Sequence, residues 1–488
     1  MARAAACALI LLFLVVPVFA GDLFDADFVD ATLRIDYFHT GDADREMLAL
    51  DRLYRQGAWA GSRTHRADRF RYGGYQVEVR DAAAGTVLYS RGFDSYFGEY
   101  RTTGPAADGV LKTYHETVLV PFPKRAVQVT FTARRRNGTV ETIGEFSIDP
   151  QATEIAGEPP AADAIVVETH IGGPPHLAAD FVFVGEGYTS SETERFKADL
   201  AAATERLLRH EPFAANRKNI SVRGVLVPSH DSGSDEPTRG LYRDTAVGTT
   251  FNSLGSERYL LTEDNRRLRD IAANVPYDSI VIMVNHERYG GGGIYNLFCT
   301  FTAGSEWAEY LLLHELGHSF AGLADEYYSS DVAYNDFYPK GVEPVEPNIS
   351  ALLSPLDVPW TDLMTPDVPM PTPWEKQAFD ERDAEYQAER RALNQKIADA
   401  TRAGADDQKL AALRAQESRH AREHSDWVRE YLGNSKWAGK VGGYEGAGYS
   451  STGLYRPFLD CLMFSRRMQP YCPVCERSVE QMIRFHSK

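Results

Sequence analysis

The sequence predicts a multidomain chain: an N-terminal antiparallel β-sandwich, then an α/β domain carrying a helical-hairpin insertion. Three observations lead there. Short alternating apolar segments separated by turn residues fill positions 31–148, and beyond a Pro- and Ala-rich stretch apolar strands alternate with amphipathic helical runs. Positions 375–432 then hold a long charged segment with an apolar stripe at heptad spacing. At 488 residues the chain exceeds one compact core, so about two or three folding units are expected.

The first twenty residues, MARAAACALILLFLVVPVFA, put Arg3 ahead of an apolar run from Ala8 to Phe19 and end on the small Ala20. This is the layout of a cleaved secretion signal at residues 1–20. The run is shorter than the roughly 20 apolar residues of a spanning helix, and it contains Pro17. The expectation is a secreted, periplasmic or cell-surface protein with no membrane span in its mature chain. With 43% apolar residues and a net charge of −17, the chain is globular in composition and should repel phosphate backbones. Nucleic acid is excluded as a partner.

The segments TLRIDYF, YQVEVRD, TVLYSRGF, ETVLVPF, AVQVTFTARR and ETIGEFSID alternate in the manner of half-buried strands, with Gly73-Gly74, Gly85 and Asn137-Gly138 between them. They define a sandwich over residues 21–156. A linker at 157–164 follows, inside DPQATEIAGEPPAADA. From residue 165 to 488 the texture is α/β. AIVVETHIGG and FVFVGEGYT read as strands, SETERFKADLAAATERLLRH as a helix opened by Ser191, and SIVIMVN as a strand for a sheet centre. Within 375–432, Tyr386, Leu393 and Ala400 recur at sevens and Gly404 interrupts. A helical hairpin follows, read as a solvated face or packing arm without a catalytic role, with partner binding as the alternative.

Cys7 leaves with the signal. Cys299, Cys461, Cys472 and Cys475 remain, and an even number in an exported protein favours disulfides, with three pairings open. Cys472-Pro-Val-Cys475 also reads as half of a zinc site or a redox pair. No second Cys-x-x-Cys stands ready to complete a four-thiolate site.

The decisive segment is WAEYLLLHELGHSFAGLADEYY, Trp307 to Tyr328. Residues four apart share a helix face, so His314 and His318 can close on one tetrahedral Zn2+ through bonds of roughly 2.0–2.1 Å. Glu315, one step round, reaches a water in the open position and serves as general base. Zinc lowers the pKa of its bound water to about 7 and polarises a scissile carbonyl. Leu311 to Leu313 make the preceding turn apolar, and Gly317 permits close approach of backbone or substrate. Gly322 ends the helix and returns the chain toward the metal, which brings Asp325 and Glu326 within reach as third ligand; Asp325 is reached first.

The run HELGHSFAGLADEYY resembles the zinc motif of the bacterial immunoglobulin-A peptidase family, relatives of the metzincins. VFVGEGYTSSE, YGGGGIYN, VGGYEGAGYSSTGLYRP and DCLMFSRRMQPYCPVCERS resemble other parts of that family, and together they span most of 165–488. The resemblance implies a zincin-like metallopeptidase domain acting on protein or peptide substrates. Metzincins place a ligand six residues after the second histidine, here Ala324, so the loop is one residue longer and Asp325 takes that role. The resemblance makes Met463 the methionine beneath the metal and leaves the hairpin as a departure from the family pattern.

Tyr327, Tyr449 and Tyr455 are candidates to hydrogen-bond an oxyanion. In YGGGGIYN, Gly290 to Gly293 permit a close turn, after which a strand edge is available to an extended peptide. The reading is a secreted zinc endopeptidase. Its alternatives are an extracellular protein- or glycan-binding protein with a secondary peptidase domain, and a zinc hydrolase for cell-wall cross-links. Neither substrate nor oligomeric state is written in the sequence.

Overall fold

The computed structural model describes residues 20–151, 154–157, 164–256, 259–329 and 338–488. The expected signal lies outside these residues except for Ala20, as do residues 158–163 of the expected linker. No helix among the described residues is long and apolar enough to cross a membrane.

The N-terminal part is two four-stranded sheets. One runs Lys112–Pro123, Phe28–Gly41, Glu46–Gln56 and Ile155–Gly157; the other runs Val87–Phe93, Tyr75–Asp81, Val127–Arg134 and Val140–Ile148. All pairs are antiparallel except the last of the first sheet, where Leu53 faces Ile155 in parallel register. Strict alternation puts Leu33, Ile35, Val118 and Val120 of the first sheet against Val77, Val79, Val129 and Phe131 of the second, in one shared core. Each such side chain contributes about 1.5–3 kcal/mol by leaving water. Two strands escaped the sequence reading. Glu46–Gln56 is too charged and too exposed to alternate, and Ile155–Gly157 sits inside the stretch read as linker.

The second part is built on a six-stranded sheet in the order Gly291–Ile294, Phe298–Thr302, Ser279–Val284, Ala179–Glu186, Ile220–Leu226, Ile165–His170. The four inner strands are parallel and the two edges antiparallel. Ser279–Val284 is interior, as its unbroken apolar run predicts. One face of the sheet, with Phe181, Phe183, Val281 and Met283, packs on the helices Thr193–Arg209, Ala308–Ala321 and Pro473–His486. The other, with Val182, Val184, Ile280 and Ile282, packs on Asn265–Ala272 and on Tyr96–Tyr100 from the N-terminal part. Thr193–Arg209 is not opened by Ser191. A reciprocal box between Thr189 and Glu192 caps the turn before it, satisfying two donors at once.

Lys376–Arg402 and Asp407–Gly433, 27 residues each, run antiparallel about the turn at Gly404. Tyr386, Leu393, Ile397 and Ala400 are buried along the stripe expected for them.

Candidate metal centre and active site

The helix Ala308–Ala321 is apolar nearly all round and buried on almost every side, against the sheet edge and the helix Pro473–His486. Gly322 ends it in the left-handed conformation at φ 63°, and Leu323 N donates back to Gly317 O at 3.1 Å. The chain turns there toward the histidines. Gly317 serves the fold and not a substrate: a Cβ on it would lie 2.9 Å from Met463 Sδ. Met463 is fully buried directly behind the helix.

His314 Nε2 and His318 Nε2 stand 3.2 Å apart. His314 Nδ1 donates to Leu462 O at 3.1 Å and His318 Nδ1 to Leu323 O at 2.6 Å, because a carbonyl can only accept. Both Nε2 atoms therefore present lone pairs to the same point. Asp325 Oδ1 lies 3.0 Å from the first and 3.3 Å from the second, and it is buried without an aligned hydrogen bond. Two ring nitrogens and a carboxylate oxygen converge on one point, which a proton or a metal cation can fill. Ligands on a tetrahedral zinc at roughly 2.0–2.1 Å stand about 3.3–3.4 Å apart, so the trio fits such a cation before it binds.

The electrostatics agree. Burial opposes charge on both groups, yet His318 and His314 hold the Asp325 carboxyl well below the usual carboxylate range, and Asp325 holds His318 up to about 9. The cluster draws positive charge.

Glu315 lines the same pocket, and a Cβ on Gly291 would come within 2.9 Å of its Oε1. A Cβ on Gly293 would lie 2.4 Å from Glu315 O. The glycines are thus not a turn followed by a strand, as expected. They form the edge strand Gly291–Ile294 itself, bare so that it can lie against the helix. Its outer edge is met at Gly291 by Tyr259 in a parallel bridge.

Tyr449 donates its hydroxyl to Asp325 Oδ2. It does so from a left-handed backbone at φ 62°, which costs a non-glycine residue about 1–3 kcal/mol, and Tyr449 N donates to Tyr327 O at 3.1 Å. The strain falls where the carboxylate must be aimed. Tyr327 lies near-parallel to His314 with ring centroids 6.2 Å apart and lines the pocket. Tyr455 does not: it pairs with Ser350 on the strand Ser450–Arg456, away from the site. Tyr310, unmarked in the sequence, stacks on His314 with its hydroxyl 3.2 Å from Nδ1.

Glu326 points elsewhere. Asn348 Nδ2 donates to its Oε1 at 3.1 Å, as does Cys475 Sγ at 3.1 Å, and burial pushes its carboxyl well up. The four cysteines among the described residues are free thiols, so the expected disulfides are not formed there. Cys461, Cys472 and Cys475 gather instead around Glu326.

The long helices, read as a solvated face or packing arm, form a wall of the pocket that holds His314, His318 and Asp325, through Phe379, Asp383, Tyr386, Arg390 and His424. His424 Nε2 meets Asp383 Oδ1 at 3.0 Å and stacks on Tyr386. Gly73 and Asp94 of the N-terminal part line the same pocket. A heptad stripe reveals which face of a helix is buried but not what lies opposite, so neither contribution was legible.

The site is a pocket lined by histidines and acids that could hold a metal ion. The sequence profile of the IgA Peptidase M64 family matches residues 167–483, and that of the Peptidase M64 N-terminus matches residues 23–144. The chain belongs to the IgA peptidase M64 family, whose members are generally metallopeptidases and act on protein substrates. No curated protein matches it.

Proposed function

We propose that the protein is an exported, zinc-dependent endopeptidase with a zincin-like catalytic domain, in which the long helical pair is an insertion that walls the cleft. One observation carries the reading: His314 Nε2, His318 Nε2 and the unpartnered Asp325 Oδ1 converge within 3.3 Å of one another. Export rests on the charged and then apolar segment ahead of Gly21.

His314, His318 and Asp325 hold the cation. Their own partners fix them: the carbonyls of Leu462 and Leu323 set the tautomers, and the Tyr449 hydroxyl orients Asp325. When bound, zinc supplies Lewis-acid polarisation of the scissile carbonyl and lowers the pKa of water. Glu315 takes a proton from the attacking water at its carboxylate and delivers it to the leaving amide nitrogen, which needs a group able to hold and release that proton beside the cleft. The wall from Phe379 to His424 and the aromatic Tyr327 narrow the pocket and exclude bulk water.

The test is casein cleavage by the purified protein with and without a chelator, beside Glu315→Gln. Cleavage that a chelator stops, zinc restores and Glu315→Gln abolishes without loss of metal is expected. Cleavage indifferent to both treatments would remove the metal and Glu315 from the reaction.

A further inference from the structure

Behind the active-site helix lies a second convergence of ligand atoms that the peptidase chemistry does not use. Cys461, Cys472, Cys475 and Glu326 each offer one atom, and these atoms all lie within 4.8 Å of one another. All four residues are buried. Cys472 N donates to Cys461 Sγ at 3.2 Å, so that sulfur faces the first turn of the helix Pro473–His486, where both Cys472 and Cys475 sit. A helix N-terminus favours thiolate over thiol.

Glu326 supplies an independent sign. Its Oε2 is buried without a hydrogen-bond partner, an expensive state for a carboxylate oxygen. The nearby Arg456 makes no hydrogen bond to it: its two terminal nitrogens donate to the carbonyls of Gly446, Glu445 and Leu459. Three cysteines are also an odd number: one disulfide would strand a third thiol and leave the carboxylate unmatched. A soft divalent cation satisfies all four groups together.

We propose that Cys461, Cys472, Cys475 and Glu326 form a second, structural site that binds one zinc ion. Three thiolates and a carboxylate fill a tetrahedral shell with no open position, which is the mark of a structural and not a catalytic centre. The site braces the first one. Glu326 follows Asp325 in sequence, and its N–H donates to Met463 O at 2.9 Å, while Leu462 O accepts from His314. An ion joining Glu326 to Cys461 clamps the two segments that aim Asp325 and His314.

The inference stands apart from the peptidase reading, and its test separates them. Zinc is counted in the purified full-length protein and in the double variant His314→Ala/His318→Ala, and the X-ray absorption of the bound zinc is recorded for each. Two zinc ions per chain are expected in the parent and one in the variant, with sulfur at roughly 2.3 Å dominating the variant's shell. The parent's own spectrum must already require sulfur scatterers, so the result does not hang on the variant's folding. Denaturing the parent with a chelator but no reductant should release Cys461, Cys472 and Cys475 as alkylatable thiols. Zinc without sulfur neighbours, or a disulfide among the three cysteines, overturns the site. A parent that holds the sulfur-bound zinc yet cleaves no peptide would count only against the catalytic reading.

Discussion

Buried charge is handled in opposite ways in the N-terminal sheets and around the helix Ala308–Ala321. In the N-terminal sheets, Arg34 grips both oxygens of Asp36 at 2.8 Å, and Glu46 is met by His39 at 2.9 Å and by Arg101 at 2.8 Å. Although burial opposes ionisation, these partners hold the Asp36 and Glu46 carboxyls down to about 2. Both of these acids have their cations within the chain. Around the helix Ala308–Ala321, Asp325 Oδ1 and Glu326 Oε2 are buried without a hydrogen bond from arginine or lysine, the first facing imidazole nitrogens and the second beside thiols. The same residue types therefore mean different things. Where the chain supplies the cation the acid is structural, and where it gathers acceptors the proposed zinc ions would supply it. The group formed by Asp36, Asp51 and His115 shows the rule in reverse, for Arg34 and Arg266 already occupy its acids.

Four experiments sharpen or break this contrast, from the largest effect to the smallest. Replacing Glu315 with Gln should lower the rate of peptide cleavage by about 10²–10⁴-fold while zinc content stays at the parental value, because it removes the proton carrier and no ligand. Equal loss of zinc would make Glu315 a ligand. Replacing Glu46 with Gln in the N-terminal sheets should cost about 3–5 kcal/mol in denaturant unfolding, the penalty for leaving His39 and Arg101 with an uncharged partner, and should not change zinc affinity. Replacing Tyr449 with Phe should do the reverse. It should weaken zinc binding about 10–100-fold in competition with a chromogenic chelator, since Asp325 loses its orienting hydroxyl. The gentlest probe is pH. Asp36 and Glu46 have folded values of about 2 against ordinary values of 3.8 and 4.5, so the stability they contribute is complete above the ordinary values and is lost as pH falls toward 2. Denaturant midpoints measured from pH 6 down to 3 should decline in the parent, with a shallower decline in the Glu46→Gln protein.

Much of this was legible in the sequence. Alternation located six strands of the N-terminal sheets, because each buries one face on a common core. The spacing of His314 and His318, with Gly322 after them, placed the cluster on a helix and turned the chain back to Asp325. What could not be read depends on contacts distant in sequence. Asn348, 22 residues beyond Glu326, carries no signature of its own. The choice between Asp325 and Glu326 rested on which way each of two adjacent acids points, and only the position of Cys475 and Asn348 makes Glu326 face away. The cysteines misled because an even count suggests pairs, whereas folding separates Cys299 from the other three. The glycine run misled in another way: its bare backbone packs on the helix at Glu315 and His318, and that neighbour lies in a later segment.

Hydrogen exchange of the purified protein before and after chelation tests the central claim most directly. If the active-site half depends on cations the chain does not supply, amides in 308–329 and 458–478 exchange faster once metal is withdrawn and recover when zinc returns, while those in 28–148 do not change. Exchange that is unaltered by chelation across 308–329 and 458–478 would contradict it.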